Sequence, residues 1–469
     1  MTSLKEIAAA VKMPGCKKIL GAAYPAAPGY LKNFPCFYIR KFLRYVKFEK
    51  GSYTVYKTAA KGDEKVVAGL MEERHGALEN ITVLDLGRVI AAPYCASVLA
   101  DLGARVIKIE QPEKGDDSRQ YGPFVNGESA YYANMNRNKE GITLNLRDPK
   151  GKEILKELVK KADVLIENFR PGVMKKLGLD YDVLKEVNPQ LVYLEISGFG
   201  GYGRYSQRPG YDIIAQAMGG MMSVTGPKGG KPTRAGVAVG DIAAGINGAL
   251  GILAALNARS LIGHGQKVDV AILDTIVSLM ENNMIRYRYS GKVYERNGNT
   301  YPATALIDSF TAKDGDYVMA CPNQNLFEKL CNKVTGHTEW LKDPRFETSI
   351  ARGEHAAEIK QLVEEWSRQF TVDEIVNKCL EAGVPAGVVN DFSQIVKDPH
   401  IVEDREMFLE CDHPVIGKQI VNGDAIKMSD TMPHVYRHAP LLSADTESVL
   451  GELGYTLDEV AKLRKDKVV

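Results

Sequence analysis

From Asn80 onward, short apolar runs alternate with longer stretches whose apolar positions recur at helical spacing. Residues 81–86, 106–110, 142–146, 164–166, 191–197 and 268–271 read as strands. Residues 93–102 read as a helix, with Val98, Leu99 and Leu102 on one face, and residues 150–161 as another. Apolar runs this short suit strands buried on both faces, and their alternation with helices predicts a parallel sheet with right-handed crossovers. The pattern then breaks. Residues 198–240 are Gly-rich and irregular, including Gly219-Gly220 and Gly226-Pro-Lys-Gly229-Gly230, the kind of loop that carries function. The apolar run 242–256 follows and predicts a buried helix. Near residues 294–302 the chain reads as a crossing into a smaller domain.

The expected fold class is α/β. A Rossmann-like large domain spans residues 78–290, a smaller α+β domain spans 291–375, and residues 376–469 return to the large domain. Residues 1–77 differ, being rich in Lys, Tyr, Phe and Pro, and form an extension without an assigned role. Within it, residues 32–53 mix aromatics with Lys and Arg, which suits either a membrane-surface or partner-binding helix or an arm packed on the main body.

With 469 residues and 45% hydrophobic content, the chain can bury a large core, and two domains with an added arm are the natural expectation. Lys plus Arg number 60 against 59 Asp plus Glu, so nucleic acid is not the expected partner. Seven cysteines without a C-x-x-C point to reduced thiols and a cytoplasmic protein. No apolar run is long enough to predict a membrane span, and Met1-Thr-Ser-Leu-Lys-Glu has no signal-peptide layout.

Several motifs fail. The first β–α loop, Leu86-Gly87-Arg88, has one glycine and lacks G-x-G-x-x-G, so a dinucleotide pyrophosphate would find no close backbone. Gly226-Pro-Lys-Gly-Gly230-Lys231-Pro232 is not a P-loop, because Thr225 stands at the first glycine and Pro232 at the magnesium-binding hydroxyl. No H-E-x-x-H, Cys/His cluster or G-x-S-x-G elbow occurs, so no metal is expected.

Gly236-Val-Ala-Val-Gly240-Asp241 remains, with one acid at the mouth of the apolar helix. An Asp there commonly serves as N-cap, accepting free backbone N–H groups. The position also suits chemistry. A helix N-terminus favours an ionised carboxylate by roughly 0.3–1 kcal/mol, and a desolvated carboxylate can attack an activated carbonyl. Flanking glycines would leave N–H groups free for a developing oxyanion. Spacing alone leaves both readings open.

Eight stretches, in order, resemble the class III CoA-transferases, the family of formyl-CoA:oxalate and crotonobetainyl-CoA:carnitine transferases. They are Val83-Leu-Asp-Leu-Gly-Arg-Val-Ile-Ala-Ala-Pro93, Leu99-Ala-Asp-Leu-Gly-Ala-Arg-Val-Ile-Lys-Ile-Glu110, Ala162-Asp-Val-Leu-Ile-Glu-Asn-Phe-Arg-Pro-Gly172, Gly210-Tyr-Asp212, Gly240-Asp241, Gly263-His-Gly-Gln-Lys267, Gly383-Val-Pro-Ala-Gly387 and Arg437-His-Ala-Pro-Leu-Leu442. The resemblance covers residues 78–469. It implies that Asp241 is the catalytic nucleophile, forming an anhydride and then an aspartyl-CoA thioester. It implies an acyl-CoA donor and a small carboxylic acid acceptor as substrates, no permanently bound cofactor, and an interlocked homodimer.

By the same resemblance, CoA is held at Arg88, Val89, Ile90, Gln111, Leu144, Arg147, Asn168, Phe169 and Lys176. Arg147 and Lys176 have the charge that phosphates require, and Phe169 suits the adenine. Tyr211 and Gly240 fall on the substrate side. Ile90 stands where formyl-CoA transferase has a glutamine and Gln111 where it has an arginine. Its tetraglycine loop is replaced by Arg296-Asn-Gly-Asn-Thr-Tyr-Pro302, which argues against oxalate as acceptor. Two alternatives share the fold. An α-methylacyl-CoA racemase would want a histidine where Tyr211 stands, since a phenol of ordinary pKa near 10 is a poor proton-transfer partner. A non-catalytic CoA-binding dimer would have no use for an intact Asp241.

Overall fold

The computed structural model describes residues 46–49, 52–55, 76–301 and 305–469. The chain divides into two units, Met1–Glu73 and Arg74–Val469. In the first, Val46–Glu49 and Ser52–Val55 pair as antiparallel strands. Val46, Phe48, Tyr53 and Val55 are β-branched or aromatic and favour extended backbone over helix. The aromatic and basic stretch 32–53 therefore ends in strand where a helix was one expectation. The rest of that stretch lies outside the described residues.

In the second unit, six strands form one parallel sheet: β1 (Thr82–Asp85), β2 (Arg105–Glu110), β3 (Lys139–Thr143), β4 (Val164–Glu167), β5 (Val192–Ser197) and β6 (Lys267–Ala271). Their spatial order is 3-2-1-4-5-6. Alternate residues serve opposite faces, as the two-residue period of a strand demands. Val83, Val106, Val164, Ile166 and Leu194 point to one core, while Leu84, Ile107, Leu165 and Tyr193 point to the other. The first core is closed by α1 (Ala91–Asp101), α3 (Asp212–Met218) and α4 (Val239–Ile262). The second is closed by α2 (Pro149–Val159) and by C-terminal residues Val449, Leu450, Val460 and Leu463.

The strand expected over 142–146 instead begins at Lys139. Lys139 and Glu140 are buried because each has an ionic partner, Asp85 at 2.8 Å and Arg105 at 2.7 Å. Hydropathy discounts charged residues and so misses them.

Helix α4 runs 24 residues, longer than the apolar run suggested. By length and hydropathy it is apolar enough to cross a membrane, which corrects the expectation that no segment would be. Its Gly and Ala face packs on α1. A Cβ added at Gly245 would lie 2.7 Å from the Ala91 carbonyl oxygen, and one at Gly248 would lie 2.8 Å from Leu194 Cδ2. Only glycine allows the two helices and the sheet to approach so closely.

Beyond residue 305 a third core gathers around the antiparallel strands Ile307–Thr311, Asp316–Ala320 and Ala386–Val388. The boundary expected at residue 375 falls inside the helix Val372–Ala382, and that core runs on to Val384, with Ala386 and Val388 packed against it. The final segment pads the edge strand β3: Gly141 N–H donates to Asp445 at 2.7 Å and Asn145 N–H to the Val468 carbonyl at 2.8 Å. All five described cysteines are free.

Candidate active site

In an open parallel sheet, ligands bind where neighbouring strands send their chains in opposite directions. Here that point lies between β1 and β4. The loops leaving them meet there. Asn168 accepts the Arg88 N–H at 2.8 Å and donates its amide to the Arg88 carbonyl at 2.9 Å.

A buried ionic cluster beneath this crevice shapes the first loop. Asp85 accepts the Gly87 N–H at 2.8 Å, and Lys108 donates to the Gly87 carbonyl. Lys108 also reaches Asp116 at 3.0 Å, and Asp116 accepts the Val89 N–H at 3.1 Å. Asp85, Lys108, Asp116 and Lys139 are all buried. Burial would raise Asp116, but Lys108 and the Ser118 N–H outweigh it and hold the carboxyl at about 2. Burial brings Lys139 down to about 8 against the pull of Asp85. Buried charges so arranged are strongly destabilising to break singly, so the loop is rigid. It holds Val89 at φ 66°, a conformation a β-branched residue rarely adopts.

The residues expected at the CoA site divide into three sets. Arg88, Val89, Ile90, Asn168 and Phe169 gather at the crevice, with the Phe169 N–H held by Glu167 at 2.7 Å. Gln111, Arg147 and Lys176 lie on exposed stretches following β2, β3 and β4. Arg147 and Lys176 have no acidic partner among the described residues, whereas Arg88 pairs with Asp117 at 2.6 Å. Leu144 does not join them. Its side chain is 2% exposed and lies in the core, so only its backbone is left for a ligand.

Asp241 lies in the first turn of α4 and is not its N-cap. Ala238 occupies that position and makes no side-chain capping bond. The carboxylate is therefore not consumed in capping. It is half-buried and accepts no hydrogen bond among the described residues. Gly245 is one helical turn further on and touches the start of α1, which places Asp241 close to where the Arg88–Ile90 loop enters α1. Tyr131, in the helix Ala130–Met135, stands near Asp241. Burial raises its phenol, and the next largest influence is the Asp241 charge, so the two groups lie within electrostatic reach of each other. Tyr121 packs edge-on against Tyr131 at 5.9 Å.

Burial, followed by the neighbouring Asp212, pushes the Asp241 carboxyl up to about 7. The helix terminus acts in the other direction, but by roughly 0.3–1 kcal/mol it offsets less than one pK unit. Burial wins, and the acid is poised where proton loss and nucleophilicity coexist at neutral pH.

Gly240 behaves differently from the expectation of a substrate-side glycine with a free N–H. It is buried, and its N–H donates to Asp212 Oδ1 at 2.7 Å. An added Cβ would meet Asp212 and Ile272 at 2.9 Å each. Its small size makes room for protein. Tyr211 is 71% exposed beside this region, at the start of α3.

Asp116, Tyr131 and Gln216 carried no sequence signal, since Asp116 reaches Val89 across 27 positions and Gln216 reaches Ala235 across 19, and Asp85 and Lys108 stood inside matching stretches without a role. Asp212 stood inside a matching stretch without a role. Arg296 is also fastened, donating to the Gly230 and Ser223 carbonyls at 2.9 and 3.1 Å. Among the described residues no three His, Cys, Asp or Glu side chains converge as a metal site.

Comparison with known proteins identifies the family of the chain. Residues 78–446 match the family described as CoA-transferase family III. A succinyl-CoA:mesaconate CoA-transferase from Haloarcula marismortui is 39% identical over 389 residues, covering 81% of this chain and 97% of its own. A succinyl-CoA–D-citramalate CoA-transferase from Chloroflexus aurantiacus is 36% identical over 395 residues, covering 84% and 98%. Among solved structures, a CaiB/BaiF family protein from Brucella suis superposes with a TM-score of 0.73 at 37% identity, covering 81% of this chain and 99% of that one.

Proposed function

The chain belongs to CoA-transferase family III and is a CoA-transferase; we propose that it moves CoA from succinyl-CoA to a short dicarboxylic acid through covalent intermediates on Asp241. The relatives named for mesaconate and D-citramalate support both the donor and the acceptor class.

The Asp241 carboxylate attacks the thioester carbonyl, the C–S bond breaks, and CoA leaves as thiolate with an anhydride formed. The thiolate then attacks the Asp241 acyl carbon and releases succinate, leaving an aspartyl-CoA thioester. The acceptor carboxylate attacks that carbonyl and expels the thiolate again. The thiolate takes the acceptor's acyl carbon, and Asp241 departs as carboxylate. Each step exchanges one acyl bond for another, so no ATP is needed. Holding carboxylates and thiolate in register is worth up to roughly 7–11 kcal/mol. The crevice between Arg88 and Asn168 would hold CoA, with Arg147 and Lys176 reaching its phosphates and Phe169 packing near the adenine. Family membership further supports a homodimer and a cytoplasmic location.

The observation that carries this reading is the Asp241 carboxyl itself, half-buried, uncapped and raised to about 7 at the end of α4. The test is succinyl-CoA with a panel of dicarboxylates, followed by mass spectrometry of protein quenched during turnover. A CoA adduct on Asp241 is expected. Product accumulating without any adduct, or full activity in Asp241→Ala, would refute the route.

A further inference from the structure

Asp241 makes no side-chain hydrogen bond among the described residues, so the backbone beneath it must set its position. That backbone is a strap, Ala235-Gly236-Val237-Ala238-Val239-Gly240, whose middle is open. Val237 is 63% exposed, and nothing lies within 4 Å of a Cβ built on Gly236. Its two ends, by contrast, are sewn to one helix. Asp212 Oδ1 accepts the Gly240 N–H at 2.7 Å, and Gln216 Oε1 accepts the Ala235 N–H at 2.9 Å. The two side chains are joined, since Gln216 Nε2 donates to Asp212 Oδ2 at 2.6 Å. They stand one turn apart on α3, 8% and 0% exposed.

We propose that Asp212 and Gln216 form a positioning clamp, which closes both ends of the strap and thereby sets the place and charge of the Asp241 carboxylate. This rests on Asp241 being the nucleophile. Asp212 accepts hydrogen bonds at both oxygens and stands near the Asp241 carboxyl, whose ionisation it opposes. Among the described residues Tyr131, from the helix Ala130–Met135, is the other titratable group electrostatically linked to Asp241. A strap released at one end would displace the carboxylate, and a misplacement of about 1 Å can cost on the order of 100-fold in rate.

The bonding pattern supplies its own rescue. In Asp212→Asn, one oxygen can still accept from Gly240, but the new NH2 faces the NH2 of Gln216. Turning Gln216 over would abandon Ala235. In D212N/Q216E, the Glu accepts from both the Asn NH2 and the Ala235 N–H. Every hydrogen bond returns while the charge moves one step away from Asp241.

The readout is exchange of labelled succinate into succinyl-CoA, which requires no knowledge of the acceptor. D212N should lose kcat roughly 10- to 100-fold, the scale of one charged hydrogen bond, with KM for succinyl-CoA unchanged. D212N/Q216E should recover at least 10-fold of that, and in both variants the acid limb should move to lower pH. A folded D212N with kcat and acid limb like the parent's, or a folded double variant no faster than D212N, would overturn the clamp. Should D212N not fold, Gln216→Met removes the Ala235 bond and the Gln216–Asp212 bond while leaving Asp212 on the Gly240 N–H, and a parent-like kcat there would overturn it equally. A second readout uses no substrate: the pH dependence of the stability gap between each protein and its Asp241→Asn counterpart titrates Asp241 directly. Its midpoint should fall when residue 212 is Asn, and an unmoved midpoint would count against the clamp. Absence of exchange in the parent would refute the donor assignment alone, because this titration still decides the clamp.

Discussion

Asp116 accepts the Val89 N–H at 3.1 Å while Val89 itself is held at φ 66°. The hydrogen bond and the strain are one arrangement. A β-branched residue in the left-handed region costs roughly 1–3 kcal/mol and persists only where the surroundings enforce it. Here the enforcing group is a buried carboxylate anchored by Lys108 at 3.0 Å.

Val89→Gly should therefore stabilise the protein by about 1 kcal/mol, the relieved strain less the entropy that glycine adds to the unfolded chain. The same change should loosen the crevice loop and raise KM for the acyl-CoA several-fold. Urea unfolding and steady-state kinetics check the two halves separately. A loss of stability would mean that the Val89 side chain contributes more through packing than its backbone loses through strain.

A carboxyl raised to about 7 at Asp241 fixes the sign of two pH effects. The attacking form is the carboxylate, so kcat/KM should fall as pH drops through about 7, well above the ordinary 3.8 of an Asp. Stability runs the opposite way. The folded state prefers the protonated acid, so this group's contribution is full below about 3.8 and is lost as pH rises through about 7. Asp241→Asn should exceed the parent in stability at pH 8, by about 2–4 kcal/mol, and lose that advantage toward pH 4. Glu167 and Asp101 are also raised by burial, to about 8 and 7, but titrate in both proteins and cancel in the difference. Paired thermal melts across pH test the claim, and a gap that does not vary with pH would sink it.

Gly240 offers a purely steric test. Gly240→Ala introduces a Cβ 2.9 Å from both Asp212 Oδ1 and Ile272 Cγ2. Neither neighbour can retreat easily, one being hydrogen-bonded at both oxygens and the other part of the core. Overpacking of this kind costs roughly 1–3 kcal/mol, and the displaced first turn of α4 should lower kcat more than it raises KM. Chemical denaturation and kinetics at pH 8 give both numbers.

The sheet was legible because β1, β2, β4 and β5 are short apolar runs buried on both faces. The start of β3 was not, because Lys139 and Glu140 owe their burial to Asp85 and Arg105, distant in sequence. Asp241 could be found as the single acid between glycines and an apolar helix, yet its N-cap reading failed. The helix opens two residues before it, at Val239, with Ala238 as cap. The Asp212–Gly240 bond spans 28 positions, and no local pattern announces it. Hydropathy thus shows which segments are buried, whereas the partners that allow charges to be buried appear only in three dimensions.

The three basic residues assigned to CoA differ in how free they are, and this orders their effects. Arg147 and Lys176 are exposed without an acidic partner among the described residues, while Arg88 is paired with Asp117 at 2.6 Å. An exposed pair of that kind is worth roughly 0–1 kcal/mol, so a phosphate could draw Arg88 away at little cost. Arg147→Ala and Lys176→Ala should each raise KM for succinyl-CoA roughly 10-fold with kcat nearly unchanged, as loss of binding common to ground and transition states requires. Asp117→Ala should act in reverse. By freeing Arg88 it should lower KM about twofold at low salt, an effect that fades as ionic strength rises. KM measured for the three variants between low and physiological salt would decide the order. If Asp117→Ala raises KM, the pair is part of the binding surface and Arg88 reaches CoA through its backbone alone.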